Sequence, residues 1–431
     1  MTEMDPPPLA PTGVPEHLLD RPRREPGTSP TGVEHPPVAD WSTDFDHTDP
    51  AWVADPFPIW AELRRSERPV ARTERYGGAW LTTSHHDVAT IANDTEHFTS
   101  RSVIVSEHRG NPESAPEGIA PRITSDPALH AAARRMLLGV FSPQAVEALE
   151  PSTRAYCREL IARFADRDVV DAATQYAQHI PVRVIANLLG LPESDGPRFR
   201  AFVHEILEGV ALPFEERLDA FLALYDYLAP YVVERRARPG TDLISDLTRA
   251  EIDGEPLTDF HVIRTVGLLL IAGIDTTWSA IGASLWHVAK TRTDRERLVA
   301  EPDLLPTAIE ELLRAYAPVT MARLVKDDFD YDGCPMQADD WVLLSFPAAN
   351  RDPAVFDRPD DVILERRPNR HAAFGLGAHR CAGSHLARME LRVALEEWLT
   401  AFPNFSLEDA AAVRWSAGQV RGPRTLPIRL R

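Results

Sequence analysis

Apolar residues recur at three- and four-residue spacing through most of the chain. "AVEALEPSTRAYCRELIARFAD" (Ala145–Asp166), "RVIANLLGL" (Arg183–Leu191), "AFLALYDYLAPYVVERRA" (Ala220–Ala237) and "LLPTAIEELLRAYA" (Leu304–Ala317) each predict a helix with one buried stripe. The longest signal opens at Thr258, a fitting N-cap with Asp259 behind it, and runs to Lys290. That segment is apolar nearly all round, so it belongs in the interior. Two-residue alternation is scarce. "FDYDGCPMQADDWVLLSF" (Phe329–Phe346) sets an Asp332-Gly333 turn between β-prone runs and predicts a hairpin, and "RTLPIRL" (Arg424–Leu430) predicts a short final strand. No internal repeat and no interior linker follow residue 40. The pattern predicts one large, mainly α domain with a small β portion over 41–431, preceded by a flexible Pro-rich arm at 1–40.

Composition narrows the function classes. The 431 residues carry 44% hydrophobic and 26% charged side chains, enough apolar material for a large core. A net charge of −19 speaks against nucleic acid as the main partner, because phosphate binding wants a basic excess. Only Cys157, Cys334 and Cys381 occur, too sparse and odd a set for a disulfide framework, which fits a reducing cytoplasm. The arm holds no apolar signal-peptide core. The longest apolar run, Val266–Ile274, is far short of the ~20 residues a spanning helix needs, so no membrane is expected.

Two places carry candidate chemistry. Inside the long helix, "AGIDTT" sets Asp275 and Thr276 in apolar surroundings, beside Ala272 and Gly273, which leave room at the backbone. A buried carboxylate needs partners or a shifted pKa, and Thr276 can bond the Ala272 carbonyl one turn back. A helix kink with a structural hydrogen bond and a ligand groove with a proton relay both account for this stretch. The second place is "FGLGAHRCAG" (Phe374–Gly383), where Cys381 precedes a helix beginning at Ser384. Free amides and the macrodipole there favour an anion, so a lowered thiol pKa is expected. Zinc would have His379, Cys381 and His385 but no fourth ligand. A nucleophile with an orienting histidine and an axial haem ligand are the other two uses.

"FGLGAHRCAG" resembles the cysteine-ligand loop of the cytochrome P-450 family, Phe-x-x-Gly-x-x-x-Cys-x-Gly, with Phe374, Gly377, Cys381 and Gly383 in register. "AGIDTT" is similar to the family's oxygen-binding stretch, and "EELLR" supplies Glu-x-x-Arg as Glu311 and Arg314. The resemblance implies that Glu311 and Arg314 are buried against a later arginine, with Arg366 as the candidate, although Val362 stands where an aromatic is common. It implies a single domain enclosing haem b. Cys381 would ligate iron, shielded by Phe374, and Ala272, Gly273, Asp275 and Thr276 would line the opposite side. "SDPALHAAARRM" resembles the helix that contacts haem propionates, which makes His130, Arg134, Arg323 and His379 the implied propionate partners. The likeness runs from about Asp49 to the C-terminus.

The implied activity is monooxygenation: dioxygen and two electrons oxidise a hydrophobic small molecule, with Asp275 and Thr276 serving proton delivery. Hydroxylation, demethylation and epoxidation all fall within it. Without flavin or iron–sulfur motifs, electrons would come ultimately from NAD(P)H through a ferredoxin-type carrier, docked on Arg134, Arg135, Arg380, Arg388 and Arg392. A monomer is expected. The variable substrate walls would include 98–123, 207–214, Leu268–Gly273, Val319–Met321 and the loop at Gln419 and Val420, with Arg109–Gly118 as a mobile entrance. A peroxide-driven enzyme and a non-catalytic haem protein are alternatives, but neither needs an intact "AGIDTT".

Overall fold

The structure, a computed structural model, describes residues 36–65, 70–105, 124, 127–208, 214–252 and 254–431. Residues 1–35 of the Pro-rich arm, the expected entrance loop and the substrate-wall positions 106–123 and 209–213 lie outside the described residues.

The principal helices are α1 (Pro127–Leu138), α2 (Glu150–Ala162), α3 (His179–Leu189), α4 (Gly196–Leu207), α5 (Phe214–Ala237), α6 (Asp259–Lys290), α7 (Leu305–Ala315) and α8 (Ser384–Ala401). Thr258 caps α6 by accepting the amide of His261, as its sequence position predicts. The helix then runs 32 residues, buried on nearly every face, with α3, α4, α5 and α8 packed around it. By length and apolarity it could span a membrane, because polar residues such as Asp275 interrupt the apolar run without ending the helix. Burial separates the two cases: 67% of its most apolar window lies inside the protein, so α6 is a core helix. The predicted helix over 145–166 divides, with Pro143–Glu147 forming a short helix of its own before α2. Pro151 sits in the first turn of α2, where a missing amide costs nothing.

The β portion is larger than alternation suggests. Strands β1 (Val70–Thr73), β2 (Ala79–Thr82), β3 (Phe98–Thr99), β4 (Thr320–Val325) and β7 (Trp341–Ser345) form one sheet in the order β1-β2-β7-β4-β3. Only the β7–β2 pair is parallel, with Trp341 opposite Ala79. The predicted hairpin is β5 (Phe329–Tyr331) and β6 (Cys334–Met336), joined through Asp332 and Gly333 at φ 46° and 80°, the left-handed pair that a two-residue turn requires. The predicted final strand is two, β8 (Pro423–Thr425) and β9 (Pro427–Arg429), in different sheets. The Leu426 amide between them is taken by the Asp171 carboxylate instead of a neighbouring strand.

Candidate active site

Cys381 is held by a loop that only glycine can shape. Gly375 and Gly377 both have φ near 71°, and a β-carbon on Gly377 would lie 2.4 Å from the Ala92 carbonyl oxygen. The Cys381 amide donates to the Phe374 carbonyl at 2.7 Å, which folds the loop back just ahead of α8. Phe374 lies half-buried over the Arg388 guanidinium, and a β-carbon on Gly383 would come within 4.0 Å of Sγ. Cys157 and Cys334 are buried, whereas Cys381 presents accessible surface. That surface lies within the protein, not on its outside. Burial pushes the thiol pKa up, although the Gly383 amide and Arg134, Arg380 and Arg388 pull the other way. The expected thiolate is therefore not set by the protein alone. It requires a cation, such as a metal, at the sulfur.

Four basic side chains converge beside this loop. His130 and Arg134 lie one turn apart on α1, Arg323 comes from β4, and His379 from the cysteine loop. The two imidazoles sit 4.0 Å apart between centroids, and His379 meets the Ser100 hydroxyl at 3.1 Å. Burial, then Arg323, His130 and Arg134, push the His379 pKa down to about 3. Burial, Arg134 and Arg323 lower that of His130 as well. Among the described residues no carboxylate acts on either ring. Arg134 and Arg323 beside the two neutral rings make a partly buried basic cluster that suits anions, and a molecule bearing two carboxylates supplies them.

On α6, Ala272 is exposed and Gly273 half-exposed between buried Ile271 and Ile274, which marks a hollow beside this core helix. Thr276 Oγ1 donates to the Ala272 carbonyl at 2.8 Å. Gly273 is half-buried, and its missing β-carbon also admits Ile185 of α3, which would stand 3.2 Å from one. Asp275 is fully buried. Its Oδ1 accepts from Arg424 Nη2 at 2.6 Å, while Oδ2 has no partner among the described residues. Burial raises the Asp275 pKa to about 6 against the pull of Arg424, and Glu208 adds to the rise. Arg424 also reaches the Ser279 hydroxyl at 3.0 Å, stacks 4.2 Å over Trp278 and pairs with Glu208, which in turn meets His204 at 2.8 Å. Gly422 makes this approach feasible, since a β-carbon there would overlap Ser279 at 2.3 Å. A buried carboxylate requires such a partner, but nothing near Arg424 in the sequence marks it.

Away from the hollow, Glu311 binds Arg314 at 2.7 and 2.8 Å and Arg366 at 3.0 Å, all three buried. Arg314 spends its remaining donors on the carbonyls of Asn350, Pro359 and Asp361. Glu310 instead joins α7 to α8 through Arg388 at 2.6 and 2.8 Å. Arg392 pairs with Glu150 and Glu396. The expected basic face is therefore smaller than the sequence suggests. Arg388 and Arg392 are neutralised by carboxylates from elements far away in sequence, and Arg135 and Arg380 remain exposed.

The donor set fits haem b better than its rivals. No group of three or more His, Cys, Asp or Glu side chains suited to a metal occurs among the described residues, and no imidazole is hydrogen-bonded to Cys381, so neither zinc nor a cysteine–histidine pair has support. An accessible thiol that becomes a thiolate only with a cation, and a basic cluster that suits two carboxylates, together fit the iron and propionates of a porphyrin. Comparison with known proteins agrees. The family model "Cytochrome P-450" matches residues 200–411. The mycinamicin IV hydroxylase/epoxidase of Micromonospora griseorubida is 34% identical over 86% of this chain and 94% of its own. The nocardicin C N-oxygenase of Nocardia uniformis is 36% identical over 87% and 95%. The solved structure of the bacillaene polyketide synthase cytochrome P-450 PksS of Bacillus subtilis superimposes with a TM-score of 0.80 at 29% identity, covering 90% of this chain and 99% of that one. The chain belongs to the cytochrome P-450 family of haem-dependent monooxygenases.

Proposed function

We propose that this protein uses dioxygen and two electrons from a ferredoxin-type carrier, supplied ultimately by NAD(P)H, to oxygenate a hydrophobic small molecule. Haem, when bound, supplies the electron-pushing thiolate-ligated iron at which the O–O bond is cleaved. Cys381 would hold the iron, His130, Arg134, Arg323 and His379 the propionates, and Phe374 would cover the sulfur. Thr276 presents its hydroxyl beside the Ala272 carbonyl, and Asp275 brings protons to the same turn of α6. The observation that carries this reading is the Asp275 carboxylate, tethered through one oxygen only and poised to gain or lose a proton near pH 6. A peroxide-driven enzyme or a haem-binding protein without turnover has no use for such a group.

The electron carrier would dock on the cysteine side, where Arg135 and Arg380 are exposed and Leu138, one turn from Arg135 on α1, is 52% accessible. An acidic carrier suits that combination. The relatives named for mycinamicin IV and nocardicin C act on different molecules, so likeness alone does not choose the substrate. The test is a reconstituted turnover assay with a surrogate ferredoxin and its reductase. Thr276→Ala is expected to divert electrons from product into released hydrogen peroxide, with the reduced carbon monoxide spectrum unchanged. Undiminished coupling in that variant removes Thr276 from proton delivery.

A further inference from the structure

Arg217 stands on α5 with 5% of its surface exposed and with no ion pair among the described residues. Its Nε has no hydrogen-bond partner. Burial alone, unrelieved by any carboxylate, pushes its pKa down to about 10. A buried guanidinium without a counter-charge is strongly unfavourable, and other buried arginines gain acceptors: Arg295, which also has no ion pair among the described residues, donates to the Val288 carbonyl. Arg314, for instance, is fully buried but binds Glu311 and three carbonyls.

The register of α5 on α6 places Arg217. The two helices run antiparallel: Arg236 Nε meets Asp259 Oδ1 at 2.5 Å near one end, and further along Leu224 and Tyr225 crowd Gly267, 3.4 and 3.0 Å from where its β-carbon would be. Between these contacts α5 steps back twelve residues, from Arg236 to Leu224, while α6 advances eight, from Asp259 to Gly267. Arg217 lies two turns before Leu224 on the same buried stripe. With both helices rising about 1.5 Å per residue, seven residues back from the Leu224–Gly267 contact bring it level with about residue 274, within one turn of the exposed Ala272.

We infer that Arg217 is a substrate-anchoring residue, and that the molecule oxidised by this enzyme carries a carboxylate at an end remote from the oxidised carbon. The inference rests on the monooxygenase reading of the hollow. The planar guanidinium is built for bidentate recognition of a carboxylate, and the apolar walls around α6 accept the rest of the molecule. A carboxylate would complete an ion pair that the folded protein leaves half-made. Anchoring one end then fixes which carbon is presented for oxidation.

The test uses the haem-loaded protein and calorimetric titration with octanoate, dodecanoate and 4-phenylbutanoate, each against its methyl ester. Wild type is expected to bind at least one acid tenfold or more tightly than its ester, and Arg217→Leu to lose that preference. Arg217→Lys should keep part of it. No acid preferred over its ester, or a preference that survives in Arg217→Leu, overturns the inference. Thermal unfolding supplies a readout independent of the ligand. Removal of an uncompensated buried charge should leave Arg217→Leu unfolding no lower than wild type, whereas a lowered midpoint assigns Arg217 a structural role and also overturns it. Failure of wild type to give a thiolate-type reduced carbon monoxide band would instead sink the monooxygenase reading.

Discussion

Glu311 and Asp275 are both fully buried carboxylates in contact with an arginine, yet burial is overcome at one and prevails at the other. Glu311 accepts from Arg314 twice, from Arg366, from the Ile363 amide and from the Asn369 side chain. Burial raises its pKa, but these donors outweigh that and hold it below the usual range. Asp275 accepts from Arg424 on one oxygen and, among the described residues, from nothing on the other, and its pKa ends at about 6. The number of donors decides the outcome, not the presence of an arginine. A saturated carboxylate braces the fold. A half-satisfied one can exchange a proton.

The largest effect expected from this contrast is at the brace. Glu311→Gln leaves Arg314 and Arg366 buried without their anion and should cost about 3–5 kcal/mol of stability. Thermal melts and haem recovery would register it, and an unchanged midpoint would refute the bracing role. Asp275→Asn should fold normally yet lower product formation by roughly 100-fold or more at saturating electron supply, the usual weight of a positioned proton donor. Full turnover in that variant would remove the distinction between the two acids.

The pH dependences should run in opposite directions. Glu311, with its folded pKa lowered, contributes stability above its unfolded pKa that is lost as pH falls. Asp275, with its folded pKa raised, is favourable below its unfolded value of about 3.9 and loses that contribution as pH rises through about 6. Across that window the Asp275 contribution changes by roughly 3 kcal/mol at most. Melts of wild type and Asp275→Asn should therefore diverge from pH 4 to pH 7 in favour of the variant. Parallel curves would show that Asp275 does not titrate there. The smallest effect concerns the surface. Arg135→Glu should slow reduction by the carrier several-fold and weaken its salt dependence, while Arg388→Glu should act chiefly on stability, by opposing Glu310. Equal kinetic effects from both would restore the broader basic face.

Local signals in the sequence carry much of this architecture. The Thr258 cap, the Asp332-Gly333 turn and the Thr276–Ala272 bond depend on neighbours within four residues, and each stands where the pattern predicts. The five-stranded sheet was not legible, because "WVLLS" is buried throughout and lacks alternation, and its partner β2 lies some 260 residues away. The partners of Asp275 were hidden for the same reason: Arg424 and Glu208 reach α6 from distant segments. The Cys381 expectation failed on a different count. Helix-end amides argue for a thiolate, but burial is a tertiary effect and proves the stronger.

The central claim, that Asp275 is an exchangeable proton site tuned by a single arginine, is tested most directly by infrared titration of protonated carboxyl groups in the haem-loaded protein from pH 4 to pH 8. Glu390, held well above the usual range by burial, should contribute a constant signal. One further carboxyl should lose its proton with a midpoint near 6, be missing in Asp275→Asn and move to higher pH in Arg424→Gln. A signal absent near pH 6, or one that ignores the loss of Arg424, would contradict it.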